Sequence, residues 1–158
     1  MKRNLLLTPG PSKVPVELCE VLGKPIIHHR TPQFQQVLKE VAEGLRKVIG
    51  TTSDVYLLAS SGTGAMEAAV ANLVSPGEKA ITFEYGKFGE RWASLVKAYK
   101  ATPVTVKVAW GGAVTVDDVK KALSENPDAK AVFLTHCETS TAVAPDLAAI
   151  GAFMKTTK

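Results

Sequence analysis

From Thr31 onward, apolar side chains return at a regular interval. Phe34, Val37, Leu38, Val41, Leu45 and Val48 recur every three or four positions, and Gly50 follows the last of them. At 3.6 residues per turn such positions share one face, so the spacing predicts an amphipathic helix that stops at Gly50. A shorter helix is expected over Pro15–Leu22, with a proline near its first turn and Gly23 at its end. Ahead of it, Pro9, Pro11 and Pro15 fit no regular element, and Gly10 between two prolines reads as a fixed, extended turn.

Further along, the period changes. Val55-Tyr56-Leu57-Leu58-Ala59 is short and continuously apolar, which predicts a strand buried on both faces. Ser60-Ser61-Gly62-Thr63-Gly64 interrupts it, and a helix is expected from Ala65 to Val74. Pro76-Gly77 turns the chain into a strand over Ala80–Phe83, and Gly86–Tyr99 reads as a helix with Phe88, Trp92, Leu95, Val96 and Tyr99 inward. A strand over Val104–Val108 precedes a helix capped by Thr115, with Asp118 three residues on and an end near Asn126-Pro127. Ala131–Thr135 predicts another strand, and Pro145-Asp146 opens a last helix. Strands alternating with helices of this length imply an α/β fold, a mainly parallel sheet covered by helices on both faces. The organisation expected is an N-terminal segment, 1–24, followed by a single α/β body over 25–158. A further strand is expected after the final helix.

Composition narrows the setting. The chain has 158 residues, 46% hydrophobic and 22% charged, as in an ordinary soluble domain with a real core. No apolar run nears the roughly 20 residues that cross a bilayer, so no membrane association is expected. Two basic residues and three leucines in Met1–Leu7 imitate a signal peptide, but Pro9-Gly10-Pro11 ends the run far below signal-core length. The net charge of +4 is scattered among acids without a basic-aromatic cluster, which argues against nucleic-acid binding. Cys19 and Cys137 are isolated, so neither a disulfide framework nor a C-x-x-C metal site is indicated, and a reducing, cytoplasmic setting is expected.

The candidate chemistry sits at Ser60–Gly64. The first amides of a helix lack partners and the aligned peptide dipoles favour an anion there. Glycines allow close approach, and the Ser61 and Thr63 hydroxyls add donors, which suits a phosphate. The same residues equally suit a plain capped turn. Two sharper motifs fail: Glu67 stands where G-x-G-x-x-G needs its third glycine, and no Gly-Lys-Ser/Thr is present. Dinucleotide and nucleoside-triphosphate sites are therefore not expected.

Other segments carry a resemblance. Leu5-Leu6-Leu7-Thr8-Pro9-Gly10-Pro11-Ser12-Lys13-Val14-Pro15, Ser61-Gly62-Thr63-Gly64-Ala65-Met66-Glu67-Ala68, Tyr85-Gly86-Lys87-Phe88-Gly89-Glu90-Arg91 and Thr135-His136-Cys137-Glu138-Thr139-Ser140-Thr141-Ala142 follow in order. Together they resemble class V aminotransferases that use pyridoxal 5'-phosphate (PLP), especially the alanine–glyoxylate/serine–pyruvate branch. The resemblance implies the N-terminal part of a large domain of the aspartate aminotransferase-like, type I PLP fold. It implies that Thr63, Gly64 and Ala65 hold the cofactor phosphate, that Phe88 stacks on the pyridine ring, and that Thr139 bonds the ring's hydroxyl oxygen. Gly10, His29 and Arg30 fall in segments that would reach substrate or a neighbouring subunit, so a homodimer or completion by a C-terminal fragment is implied, with a small amino acid and a 2-oxo acid as substrates.

On local grounds Phe88 reads as a core side chain of its helix but for the flanking Gly86 and Gly89, while Thr139 is equally a turn residue and Arg30 a surface ion-pair partner. A metal site from His28, His29 and His136 is disfavoured, since adjacent side chains in an extended segment point opposite ways. Ala142 and Cys137 stand where the family often has glycine. The resemblance also implies a lysine that forms an imine with the cofactor, an acid at the pyridine nitrogen and an arginine for the substrate carboxylate. No residue here matches them: Lys155 and Lys158 follow the last helix, and Asp146 caps it. These residues alone are not expected to catalyse transamination. The alternatives are a non-catalytic subunit of the same fold, including relatives that carry a hydrogenase-subunit name, and a different phosphate-binding α/β module.

Overall fold

A computed structural model describes residues 5–157; the charged start Met1–Asn4 and the candidate Lys158 lie outside the described residues. Contacts divide the chain into two compact units, Met1–Ala59 and Ser60–Lys158.

In the first unit, α1 spans Val16–Leu22 and α2 spans Pro32–Ile49. The Thr31 hydroxyl accepts from the Phe34 amide at 3.3 Å and donates to the His28 carbonyl at 2.8 Å, tying the cap to the turn before it. Gly50 closes α2 in the left-handed region, φ 71°, where a side chain would be strained. The apolar stripe lies on a helix as predicted, but Val37, Leu38 and Val41 stay exposed, and among the described residues neither helix buries one completely.

The strand predicted at Val55–Ala59 does not form. A strand needs a neighbour to complete its hydrogen-bonded ladder, and this run has none among the described residues. Tyr56, Leu57 and Leu58 are exposed rather than buried. Arg46 bonds the Ser53 carbonyl at 3.1 Å and pairs with Asp54, fastening the approach to this run onto the end of α2.

The second unit is a three-layer α/β body. Its elements are α3 (Gly62–Leu73), β1 (Lys79–Glu84), α4 (Lys87–Ala98), β2 (Thr102–Lys107), α5 (Val116–Glu125), β3 (Ala129–Phe133) and α6 (Leu147–Met154). The strands form a parallel sheet ordered β2-β1-β3, with Ile81 opposite both Val104 and Val132. Successive strand residues face opposite sides. Ile81 and Phe83 therefore pack with Val119 and Ala122 of α5 and Ile150 of α6, while Ala80 and Phe133 pack with Val70 of α3 and Val96 of α4. Helices cover both faces, as the alternation of elements predicted. Burying a side chain the size of Phe83 stabilises by about 1.5–3 kcal/mol.

Boundaries move for local reasons. β2 begins before the expected Val104 and includes Pro103, which an edge strand tolerates because one side carries no ladder. β3 stops at Phe133, so Leu134 and Thr135 leave the sheet. The Thr115–Asp118 capping box forms as predicted: the Thr115 hydroxyl accepts from the Asp118 amide at 3.2 Å, and the Asp118 carboxylate accepts from the Thr115 amide at 2.8 Å.

Candidate functional site

Beyond the C-terminal ends of β1 and β3 lies a cavity of ≈ 290 Å³. Gly62 and Met66 of α3, Phe88 and Trp92 of α4, and Thr135 and Thr139 after β3 all line it. Open parallel sheets place ligands at this end, where the loops after the strands separate.

The helix α3 starts here without a cap. Ser61 is extended (φ −73°, ψ 169°), and no side chain among the described residues caps the helix. The Gly64 amide turns back to the Ser61 carbonyl at 2.9 Å. Ser60 folds against Gly64 and donates to the Ser61 carbonyl at 3.0 Å, so an added Cβ at position 64 would overlap the Ser60 side chain. Glycine is therefore required by close approach at this point. Arg91 donates to the Thr63 hydroxyl at 2.7 Å, with its guanidinium 4.9 Å from the Phe88 ring centroid. A fixed positive charge thus stands beside the helix end and stacks on the aromatic wall.

At α4 the arrangement is opposite. Glu138 is fully buried, and its Oε2 accepts from the Phe88 amide at 3.0 Å and the Gly89 amide at 2.9 Å. Its Oε1 accepts from the Ser140 hydroxyl at 2.5 Å and the Ser140 amide at 3.3 Å, and the Ser140 Oγ accepts from the Lys87 amide at 3.0 Å. The first turn of α4 is thereby satisfied by the segment after β3. Glycine permits this: a Cβ at Gly86 would overlap the Glu138 side chain, and one at Gly89 would lie 2.7 Å from the Phe83 carbonyl oxygen.

Thr135 anchors the next layer. Its carbonyl accepts from the Tyr85 hydroxyl, and its own hydroxyl accepts from the Trp92 indole at 3.3 Å. Trp92 stacks on Phe133 with centroids 4.9 Å apart. Burial, with the nearby Glu138 charge adding to it, pushes the Tyr85 phenol up to about 12.

The residues singled out from sequence fall into two groups. Thr63, Gly64 and Ala65 sit on the first turn of α3, next to Gly62 on the cavity wall, and Phe88 and Thr139 line that cavity directly. Gly10, His29 and Arg30 belong to the first unit. Gly10 lies in an exposed bend, and His29 and Arg30 form a turn. The opposed geometry expected for His28 and His29 is not found, because the chain turns here rather than extending. Their rings stack at 4.6 Å, and His28 Nδ1 accepts from the Arg30 amide at 3.1 Å. His136 lies on the cavity of the second unit. No group of three His, Cys, Asp or Glu among the described residues is placed to hold a metal. Cys137 is a free, exposed thiol on the cavity wall, and Cys19 is also free and exposed. Lys155 is the C-cap of α6 and Asp146 its N-cap, accepting from the Ala149 amide at 3.0 Å.

Glu138 and Arg91 received no role from sequence. The usable signal is a pair of glycines bracketing Phe88, which announces close approach by another segment. An acid among hydroxyls at positions 138–141 is the segment that approaches.

Comparison with known proteins follows the same segments. The family model "Aminotransferase class-V" matches residues 18–158. An uncharacterized aminotransferase of Methanocaldococcus jannaschii is 39% identical over 97% of this chain and 40% of its own length. The small subunit of a soluble hydrogenase from Synechococcus sp. is likewise 39% identical, over 97% of this chain and 40% of its own. The crystal structure of an alanine–glyoxylate aminotransferase from Nostoc sp. superposes with a TM-score of 0.89 at 30% identity, over 96% of this chain and 40% of that one. The chain thus spans about 40% of the length of the relatives it matches. The fold it shares with the Nostoc enzyme is that of type I PLP-dependent transferases, of which it carries part of the large-domain parallel sheet. A match that runs through every segment lining the cavity places this chain in the class V aminotransferase family.

Proposed function

We propose that the intact protein is a PLP-dependent aminotransferase. It moves an amino group from a small amino acid such as alanine or serine to a 2-oxo acid such as glyoxylate or pyruvate. Residues 25–158 form the N-terminal part of its large domain. The observation that carries this reading is the uncapped start of α3, whose Gly62 opens on a cavity that Phe88 and Thr139 share.

The residues present fit the cofactor. A Cβ at position 64 would overlap the Ser60 side chain, so glycine lets the turn before α3 fold against its first turn, where an uncapped helix start suits an anion and Thr63 adds a hydroxyl. Arg91 supports Thr63 and adds positive charge nearby. Phe88 offers a flat apolar wall for an electron-poor ring, and Thr139 a hydroxyl for its ring oxygen. PLP supplies an electron sink when bound. This chain's own residues bind its anionic end, orient its ring and line the cavity with mostly apolar surface that disfavours water. The lysine that anchors the cofactor, the acid at its ring nitrogen and the arginine for the substrate carboxylate are assigned to the rest of the intact protein. Assembly is as a homodimer in the cytoplasm, with Gly10, His29 and Arg30 near substrate or the neighbouring subunit. Among the described residues no helix is long and apolar enough to cross a membrane.

The name of the Nostoc relative supports glyoxylate as acceptor. The hydrogenase name of the Synechococcus relative supports a second reading, a non-catalytic subunit of the same fold. Two isolated cysteines offer no iron–sulfur ligand set within this chain. The test is the intact protein purified with PLP and given alanine and glyoxylate. Retained PLP with formation of pyruvate and glycine is expected. Bound PLP without transfer from any small amino acid favours the non-catalytic reading, and no bound PLP overturns both. Borohydride reduction is expected to fix the cofactor on a lysine outside residues 1–158.

A further inference from the structure

We propose that Glu138 is a positioning residue of the cofactor site, acting through Phe88 and Thr139 rather than on the substrate. The inference rests on the PLP reading above. Two walls of the cavity lie some 50 residues apart in sequence: the first turn of α4, which carries Phe88, and the segment after β3, which carries Thr139. Glu138 joins them. One carboxylate oxygen takes the Phe88 and Gly89 amides, at 3.0 and 2.9 Å. The other takes the Ser140 hydroxyl and amide, at 2.5 and 3.3 Å. Thr139 is held between two residues that both reach α4, because Ser140 also receives the Lys87 amide at 3.0 Å.

The backbone supports the same joint. Glu138 and Val143 bond each other through N–H···O contacts of 2.8 and 3.3 Å, and the Thr141 hydroxyl reaches the Tyr85 carbonyl at 3.4 Å. Gly86 has no room for a Cβ because the Glu138 side chain occupies that space. With both oxygens engaged and no surface exposed, Glu138 has no free lone pair aimed at the cavity for proton transfer. Hydrogen bonds to a charged acceptor are among the strong ones, and their geometry sets where the Phe88 ring stands. Removing the carboxylate leaves two amides of α4 without partners, so the ring and the Thr139 hydroxyl lose their common reference.

The test is a double-mutant cycle on PLP affinity in the intact protein, with apo-protein melting recorded alongside. Phe88→Ala is expected to weaken PLP binding about tenfold in the wild-type background, equivalent to about 1.4 kcal/mol. Glu138→Ala is expected to weaken it by a similar factor, and Phe88→Ala added to Glu138→Ala should cost almost nothing further. Non-additivity of that kind marks residues acting as one unit. Losses that multiply would show Glu138 acting only on general stability and would overturn the proposal, as would unchanged affinity in Glu138→Ala. If Glu138→Ala does not fold, Ser140→Ala takes its place in the cycle with an expected loss of about threefold, and the same two outcomes overturn the proposal. Wild-type protein that binds no PLP would instead remove the functional reading itself.

Discussion

Helices α3 and α4 begin alike in sequence and end up chemically opposite. Each has glycine at its third position, Gly64 in one and Gly89 in the other. At α4 the first-turn amides are taken by Glu138 and Ser140, so the positive end of the helix is already neutralised by a buried carboxylate. At α3 no side chain among the described residues caps the end, and the Arg91 guanidinium donates to the Thr63 hydroxyl. The two glycines differ accordingly. Gly64 makes room for the Cβ and Oγ of Ser60 in the turn before its helix, whereas Gly89 makes room beside backbone of β1. Helix starts of the same composition can thus serve as an anion cradle or as a structural joint. What decides is whether another segment brings its own acceptor.

The largest effect expected is at the joint. Gly89→Ala places a Cβ 2.7 Å from the Phe83 carbonyl and 3.0 Å from Glu84 Cα, so α4 must move off β1. A loss of about 3 kcal/mol in urea unfolding of the intact protein is expected, in the upper range for overpacking. A loss under about 1 kcal/mol would contradict the close packing described.

Tyr85→Phe removes the hydroxyl bonded to the Thr135 carbonyl and should cost about 1–2 kcal/mol by leaving that acceptor short of a partner. It also carries a pH signature. The Tyr85 phenol titrates near 12 in the folded protein against 10.0 unfolded. Folding favours its neutral form, so this contribution is complete below pH 10 and fades as pH rises toward 12. The expected loss of stability over that window should be smaller in Tyr85→Phe, and equal slopes would contradict the assignment.

Smaller effects sharpen the contrast from the other side. Ala142 adopts φ 57° in the segment that presents Glu138, a conformation costly for any residue with a Cβ. Ala142→Gly should therefore stabilise by about 0.5–1 kcal/mol, measured as a raised unfolding midpoint. Gly64→Ala should cost about 1 kcal/mol, because the new Cβ meets Ser60 Cβ, which no side-chain rotation removes, and alanine's better helix propensity offsets only part of that. It should also weaken PLP binding about tenfold by displacing the turn against which the first turn of α3 is set. Stability lost with PLP affinity kept would make α3 a joint like α4.

Much of this was legible in residue order, for reasons that can be named. Helices α2 and α5 were readable because their signals are local: Thr31 and Gly50, Thr115 and Asp118 act within a turn of the helices they bound. The phosphate-type start of α3 was readable as a glycine-hydroxyl loop, although its local sequence also allowed a plain cap. Val55–Ala59 misled because burial on both faces is a property of neighbours, and an apolar run does not name them. Glu138 was quoted within a motif without a role because its partners, Phe88 and Gly89, are distant in sequence. A carboxylate reads as a surface group until something buries it. His28 and His29 misled for a smaller reason: the cap at Thr31 turns the chain before α2, so an extended register never develops.

In the intact protein an anionic cofactor tail is expected to dock at α3 and not at α4. A crystal structure of the intact protein with PLP tests it most directly. The phosphate is expected against the first turn of α3, on Thr63, Gly64 and Ala65, while Phe88 and Gly89 still donate to Glu138. A phosphate seated elsewhere, or a first turn of α3 closed by a side chain while PLP is bound, would contradict it.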